Sequence, residues 1–437
     1  MTRLALLMVA LAAGDWTPTS RIRESGPARV RGREGVSLAF FEAFPSSGAG
    51  TTGVCSTTAP TGAKGEALTF TRASTAICTK TASGGLATTG IANGDLVSVS
   101  SNVIRQEYDA NGVLGVRVEE SRTNDVLRSQ ELNNAAWLTS AVGVAGPTIT
   151  ADAAVAPDGT TTAERFEVPA VAGGQESVRY QTLGSIGSTR ATSIYVKGNG
   201  SSGSIQVIHF GPGGACTVCA YNSTTWTRCV YAGVTGGAGN VGFGSSATAG
   251  GCGLGAANGA IDAFIWQAQG ELGAFATSPI PTTSASVTRS AEDARFVLSA
   301  ITVTAPWSAA ATTWLPAGIA SNARVGGAGG TTGLVTALFD TYVSGGVLQV
   351  FSSQVTPNNY STGLAVTAST SARYAAYHDG TLWNGCVNST CAAGASRAWS
   401  SLANTTTFAI GQYATAGAIN GIQSRFCFQP GDATRCR

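Results

Sequence analysis

The chain has 437 residues, of which 57 are Gly and only 2 are Met, and 11% are charged. Its 26 basic and 24 acidic side chains leave a formal charge of +2, which excludes the broad positive field of a general nucleic-acid binder. Long amphipathic helices need Leu, Glu and Lys at helical spacing, and this composition does not supply them. The expected fold is therefore all-β, with short strands and Gly-rich turns stacked into sandwiches or jelly rolls.

Residues 1–35 read as an N-terminal attachment arm and linker. Met1-Thr2-Arg3 precedes an apolar run from Leu4 to Ala13, too short to span a bilayer. Two readings follow: a cleaved secretory signal with Ala10-Leu11-Ala12 at the cleavage site, or a retained apolar arm buried in a neighbouring subunit, which the lone Arg of the leader favours. Arg21, Arg23, Arg29, Arg31 and Arg33, interleaved with Pro18, Pro27 and Gly, then form a linker suited to the acidic surface of a partner protein.

Residues 36–107 form a strand-rich entry segment, with candidates at Val36 to Phe44, Leu68 to Arg72 and Leu96 to Ile104. They are expected to pair with the domain that follows, at 108–293. That domain opens on the turn signal Asp109-Ala110-Asn111-Gly112 and an alternating strand from Val113 to Val118. Glu119 and Glu120 resemble a catalytic carboxylate pair, but neighbours on a strand point to opposite faces and cannot flank one bond. Salt bridges with Arg117 and Arg122 are the expected role. Residues 125–137 predict one short helix, Ala156 to Thr160 a turn, and Ala163 to Val168, Ser193 to Lys197 and Trp226 to Tyr231 strands. His209 sits in the apolar run Ile205 to Phe210 and is expected on a strand.

Gly112-x-Leu114-Gly115-x-x-Val118-Glu119-Glu120-x-Arg122-Thr123-Asn124, followed by Asn133-Asn134-Ala135-Ala136-Trp137, resembles the signature of a module common in phage tail-fibre and other virion proteins. Two further pieces match in order. Leu68 to Thr75 is similar to the preceding strand, and Trp266-Gln267-Ala268-Gln269, Gly273 to Ser278, Ile280-Pro281-Thr282-Thr283 and Val287-Thr288-Arg289 are similar to the module's end. Pro279 stands where the family carries an aromatic residue. The resemblance implies a jelly roll similar to carbohydrate-binding modules, with Trp226 and Trp266 in its core. It also implies an external virion role as a tail or head fibre, attached through the N-terminal arm to other virion proteins, contacting host-surface polysaccharide, and often trimeric.

Residues 294–437 resemble a concanavalin A-like or laminin G-like sandwich, through Tyr374 to Gly380 with its Asp379-Gly380 turn, Cys386-Val387-Asn388, Phe408 to Gly411 and Gly421 to Phe426. Sugar sites on such sandwiches stack an exposed ring on a pyranose and surround it with amides and carboxylates. The candidates are Trp383 with Asn384, then Trp399 and Tyr413. A structural calcium is compatible with either sandwich, although no dense acidic loop marks one.

The ten cysteines fall in local groups, as expected of disulfides made in an oxidising place. The pairs expected are Cys55 with Cys78, Cys216 with Cys252, Cys219 with Cys229 across a turn centred on Thr224, Cys386 with Cys391 across Asn388-Ser389, and Cys427 with Cys436. Cys216-x-x-Cys219 also has the spacing of a zinc-ligand pair. Catalysis is not expected. His209 and His378 fall in different domains, Asp262, Glu271, Asp340 and Asp379 are scattered, and no nucleophile elbow or phosphate loop is present. The reading is a non-enzymatic virion appendage. A secreted lectin-like protein and a phage polysaccharide depolymerase are the alternatives.

Overall fold

The computed structural model describes Cys55, Ala59 and residues 68–80, 89–108, 114–184, 189–210, 215–234, 239–247, 259–303, 305–316, 321–329, 337–351, 359–396, 402–410 and 421–430. The N-terminal arm, the strand at 36–44, Trp399, Tyr413, Cys252 and Cys436 lie outside the described residues. Every regular element among the described residues is a strand, and the helix expected at 125–137 is absent. A succession of tight turns replaces it: Glu131 N donates to Arg128 O, Asn134 N to Glu131 O and Trp137 N to Asn134 O, each three residues back. Arg128 takes a positive φ of 51°, and polar groups of the domain end compete for the backbone, as Thr282 Oγ1 does for Val126 O at 2.6 Å.

Two five-stranded antiparallel sheets form the jelly roll. One runs Cys216–Tyr221, Gly203–His209, Asn240–Ser246, Glu176–Thr182, Leu138–Val142, and the other Thr227–Val234, Thr189–Gly198, Ile261–Leu272, Ala163–Val168, Thr148–Ala154. Alternation puts Ile205, Val207, Val241 and Phe243 of the first sheet against Phe166, Val168, Ile194, Val196, Ile261 and Ile265 of the second. Each large aliphatic or aromatic side chain buried there contributes about 1.5–3 kcal/mol. Trp137 closes one end with its ring 6.0 Å from Phe243. Trp226 and Trp266 are buried, as the resemblance implies, and His209 ends a strand with its Nε2 2.9 Å from Thr192 Oγ1.

A second sandwich stands beside it. One sheet has the order Leu68–Thr71, Asp293–Val303, Leu402–Ile410, Ser321–Gly329, Ala337–Ser344, Val347–Phe351, Asn359–Ala365. The other has Thr390–Cys391, Leu382–Val387, Ser371–His378, Trp307–Trp314, Gly421–Pro430, Leu114–Val118, Gln106–Tyr108, with Ala395–Ser396 on Leu382–Val387. Gly385 shows how closely the two sheets approach, since a Cβ there would meet Thr362, Val350 and Leu348 of the opposite layer.

The partners of the entry strands correct the expectation that they pair with the jelly roll. Leu68–Thr71 pairs with Asp293–Val303, and Leu114–Val118, expected to open the jelly roll, pairs instead with Gln106–Tyr108 and Gly421–Pro430 in the terminal sandwich. The jelly roll is an insertion between Val118 and Asp293. Among the described residues, the ribbon of Ala76–Thr79 and Leu96–Val99 is what packs on the jelly roll, with Ile77, Ile91 and Leu96 against Tyr195, Trp226 and Trp266. Alternation identifies a strand but does not encode a partner 300 residues away.

Candidate functional site

The chain crosses between the sandwiches twice, and the two crossings pair: Arg122–Asn124 runs antiparallel to Val287–Arg289. The motif residues that carry the family resemblance meet at this neck. Asn124 uses its whole amide. Its Nδ2 donates to Ile280 O at 2.8 Å and Ala268 O at 3.2 Å, and its Oδ1 accepts from Gly270 N at 2.9 Å and Val126 N at 3.1 Å. Arg122 donates Nε to Glu120 Oε1 at 2.5 Å and lies over the Phe275 ring at 4.8 Å. Gly273, with φ of 124°, leaves the space Arg122 fills, because a Cβ there would overlap the guanidinium.

Behind this pairing lies a buried ionic lattice. Arg105 reaches Glu292 at 2.6 Å and Glu119 at 2.8 Å, Arg117 reaches Glu119 at 2.7 Å and Glu107 at 2.8 Å, and Arg72 reaches Glu292 at 2.7 Å. Arg289 Nη1 adds a 3.3 Å ion pair to Glu119. Ser278 supplies its N at 2.8 Å and its Oγ at 2.6 Å to the same carboxylate. Burial alone would raise the Glu119 carboxyl, but Arg117, Arg289 and Arg105 outweigh it and hold the group well below the usual carboxylate range. Burial opposes the charge of Arg105 and Arg117 as well, and their carboxylates overcome it and raise both guanidiniums.

The salt bridges expected of Glu119 with Arg117 and of Glu120 with Arg122 are therefore present. The sequence reading did not find Arg105, Glu107 and Glu292 as partners. Adjacent charges signal local pairs, whereas Arg105 and Glu292 meet only because the jelly roll lies between them. A carboxylate fully enclosed and held ionised by guanidiniums cannot reach a substrate. What this arrangement does is tie the segments on either side of the jelly roll to one another through buried ion pairs.

Of the four glycan candidates, Trp383 and Asn384 require correction, while Trp399 and Tyr413 lie outside the described residues. Trp383 is 0% exposed on Leu382–Val387, paired with His378 and Ala395, and Asn384 beside it is 3% exposed. A ring with no open face cannot stack on a pyranose, and the two-residue period of the strand puts Trp383 on the same face as Gly385, which abuts the opposite sheet. Among the scattered carboxylates, Asp262 pairs with Arg165 at 2.9 Å, Glu271 is buried against Thr277, and Asp379 caps the turn by accepting from Thr381 N and Leu382 N. The structure does not bring them together.

The cysteines form disulfides. Cys55–Cys78 and Cys386–Cys391 occur as expected, the latter in register across a turn where Asn388 has φ of 54°. Cys219–Cys229 also forms, but not across a hairpin: Cys219 lies on Cys216–Tyr221 and Cys229 on Thr227–Val234, in opposite sheets, so the bond staples the jelly roll through its core. Cys216 is disulfide-bonded too, which excludes the zinc reading of Cys216-x-x-Cys219. Such bonds belong to a protein that folds in an oxidising setting, outside the reducing cytosol.

No known family model matches the sequence, and no curated protein matches it. Among solved structures, the mouse laminin alpha1 chain, domains LG4-5, is similar at 12% identity over 61% of this chain and 83% of that one, with a TM-score of 0.19. The sandwich architecture rests on the strand pairing itself.

Proposed function

We propose that this chain is a non-enzymatic appendage protein of a phage-like virion, which holds two β-sandwich modules at a fixed angle outside the particle for contact with host-surface glycans. The neck carries this reading. The chain commits four buried arginines and three buried glutamates to one joint, and spends the motif residues of the resemblance on bracing it. A protein that presents binding faces at a distance needs such a joint. The disulfides and the low charge of the chain suit an exposed life among neutral polymers. In this reading residues 1–35 attach the chain to the particle.

Two measurements test it. Gold-labelled antibody against the purified chain should decorate an external fibre of the particle, and labelling of host envelope or culture medium alone would overturn the virion assignment. Incubation with host capsule or lipopolysaccharide should retain the protein on the polymer without shortening it. Shortened chains would make it a depolymerase.

A further inference from the structure

The lattice at the neck is unbalanced. Among the described residues, Arg72, Arg105, Arg117 and Arg289 face Glu107, Glu119 and Glu292, four guanidiniums against three carboxylates, and all seven side chains are at most 1% exposed. Of the other nearby carboxylates, Glu271 pulls on Arg289 from beyond ion-pair range. Glu120 pairs with Arg122, and Glu271 directs its oxygens to Thr277 N, Thr277 Oγ1 and Gln269 Nε2.

The excess falls on Arg289. Its Nη2 donates to Glu120 O at 2.9 Å, whereas its Nε and Nη1 have no hydrogen-bond partner, the 3.3 Å approach of Nη1 to Glu119 being an ion pair only. Leaving two buried guanidinium donors unmet is costly. Burial accordingly pulls the Arg289 guanidinium below its ordinary value, against the pull of Glu119 and Glu292.

Arg289 also lines a cavity of about 140 Å³ between the ribbon and the domain end. Hydroxyl-bearing Ser74, Thr75, Ser98 and Thr288 contribute to its wall, and Pro279, Ile280, Pro281 and Val287 make the rest apolar. A water molecule occupies about 30 Å³ in the liquid, so the space has room for a halide or a group the size of acetate. Low-dielectric walls beside a guanidinium select for charge, and a small anion seated against Arg289 would answer its unmet Nε donor.

We infer that this cavity is a binding site for one small monovalent anion, a halide or a short carboxylate, seated on Arg289 and balancing the charge of the neck. A free carboxylate and the carboxyl tip of a partner's Asp or Glu side chain share this chemistry, and the halide arm of the test separates the small ion from the tip.

The test uses the full chain, melted in chloride, bromide, formate or acetate against a bulky monovalent organic anion at constant ionic strength. The expected result is a saturable rise in the melting temperature with each small anion, roughly 2–8 °C at about a hundredfold excess over its Kd, and none with the bulky one. A rise with formate and acetate but not with halides would assign the site to a carboxylate, such as a partner's side chain. Arg289→Gln should abolish the rise. Should that variant fail to fold, crystals of the unaltered chain soaked in bromide decide the matter through an anomalous peak beside Arg289 Nε. Equal melting temperatures in all salts, or bromide only on the outer surface, would overturn the assignment.

Discussion

Arg105 Nη2 lies 2.6 Å from Glu292 Oε1, although 187 residues and an entire jelly roll separate them in sequence. The pair joins the residue just ahead of Gln106–Tyr108 to the residue just ahead of Asp293–Val303. Glu292 also accepts from Arg72 Nη1 and, through Oε2, from Glu119 N, so one carboxylate holds three segments together.

Removing that charge should be expensive. Glu292→Gln leaves Arg72 and Arg105 enclosed with too few anions, and breaking one member of a buried ion cluster costs about 3–5 kcal/mol. The exposed pair of Arg165 and Asp262 supplies the contrast, since solvent screens it and Arg165→Met should leave stability little changed. Urea denaturation midpoints of the two variants should differ in that order, and similar midpoints would show the lattice to be energetically idle.

The inter-sheet staple makes a second case. Cys219 and Cys229 close a short loop, their sequence separation being 10, yet they tie opposite layers of the jelly roll. Replacing both by Ala should cost about 2–3 kcal/mol by loop-closure entropy, plus the packing lost at the fully buried Cys229. Cys386–Cys391 closes a shorter loop, with Cys391 exposed and Cys386 buried, so loop closure should leave its double Ala variant melting slightly nearer the parent chain. Differential scanning calorimetry would rank the two.

Much of this fold is legible where interactions are local. The strand at Ala163 to Val168, the Asp158-Gly159 turn with φ of 85° at Gly159, and the bridge across Asn388-Ser389 follow from alternation and turn chemistry within a few residues. The long-range choices are not legible. Nothing in Leu114 to Val118 distinguishes Gly421–Pro430 as its partner from a jelly-roll strand, and nothing at Cys219 tells a hairpin from an inter-sheet bond. At the site, Glu119 with Arg117 was readable because they are neighbours on one strand, while Glu292 carried no local sign. Trp383 misled because a Trp beside Asn in a short strand has the same sequence appearance whether it faces a sugar or a core.

That ambiguity gives a third prediction. With the ring of Trp383 fully buried in the terminal sandwich, Trp383→Ala should cost about 3–5 kcal/mol through the cavity it leaves. Any loss of polymer retention should then track loss of folded protein, seen as a parallel fall in near-ultraviolet circular dichroism. Retention lost from a fully folded variant would return Trp383 to the binding surface.

The last prediction concerns pH. Glu164 Oε2 accepts from Leu132 N at 2.5 Å and Oε1 from Asn133 N at 3.2 Å, so this carboxyl anchors the turns that replace the expected helix. Burial pushes it up to about 7 in spite of those two bonds, with Asp152 and Glu131 adding to the rise. The folded value therefore stands above the ordinary value of 4.5 that the unfolded chain retains. Between the two, the folded chain keeps a proton that the unfolded chain has released, so stability falls as pH rises from about 4.5 to about 7 and levels off beyond. The total is on the order of 3 kcal/mol at most, from 1.36 kcal/mol per unit of pKa. Melting temperatures of the parent chain should decline from about pH 5 to about pH 8, and Glu164→Gln, which has no proton to lose, should flatten that part of the profile. An equal slope in both proteins would place the titration on another group and leave Glu164 an ordinary ionised cap.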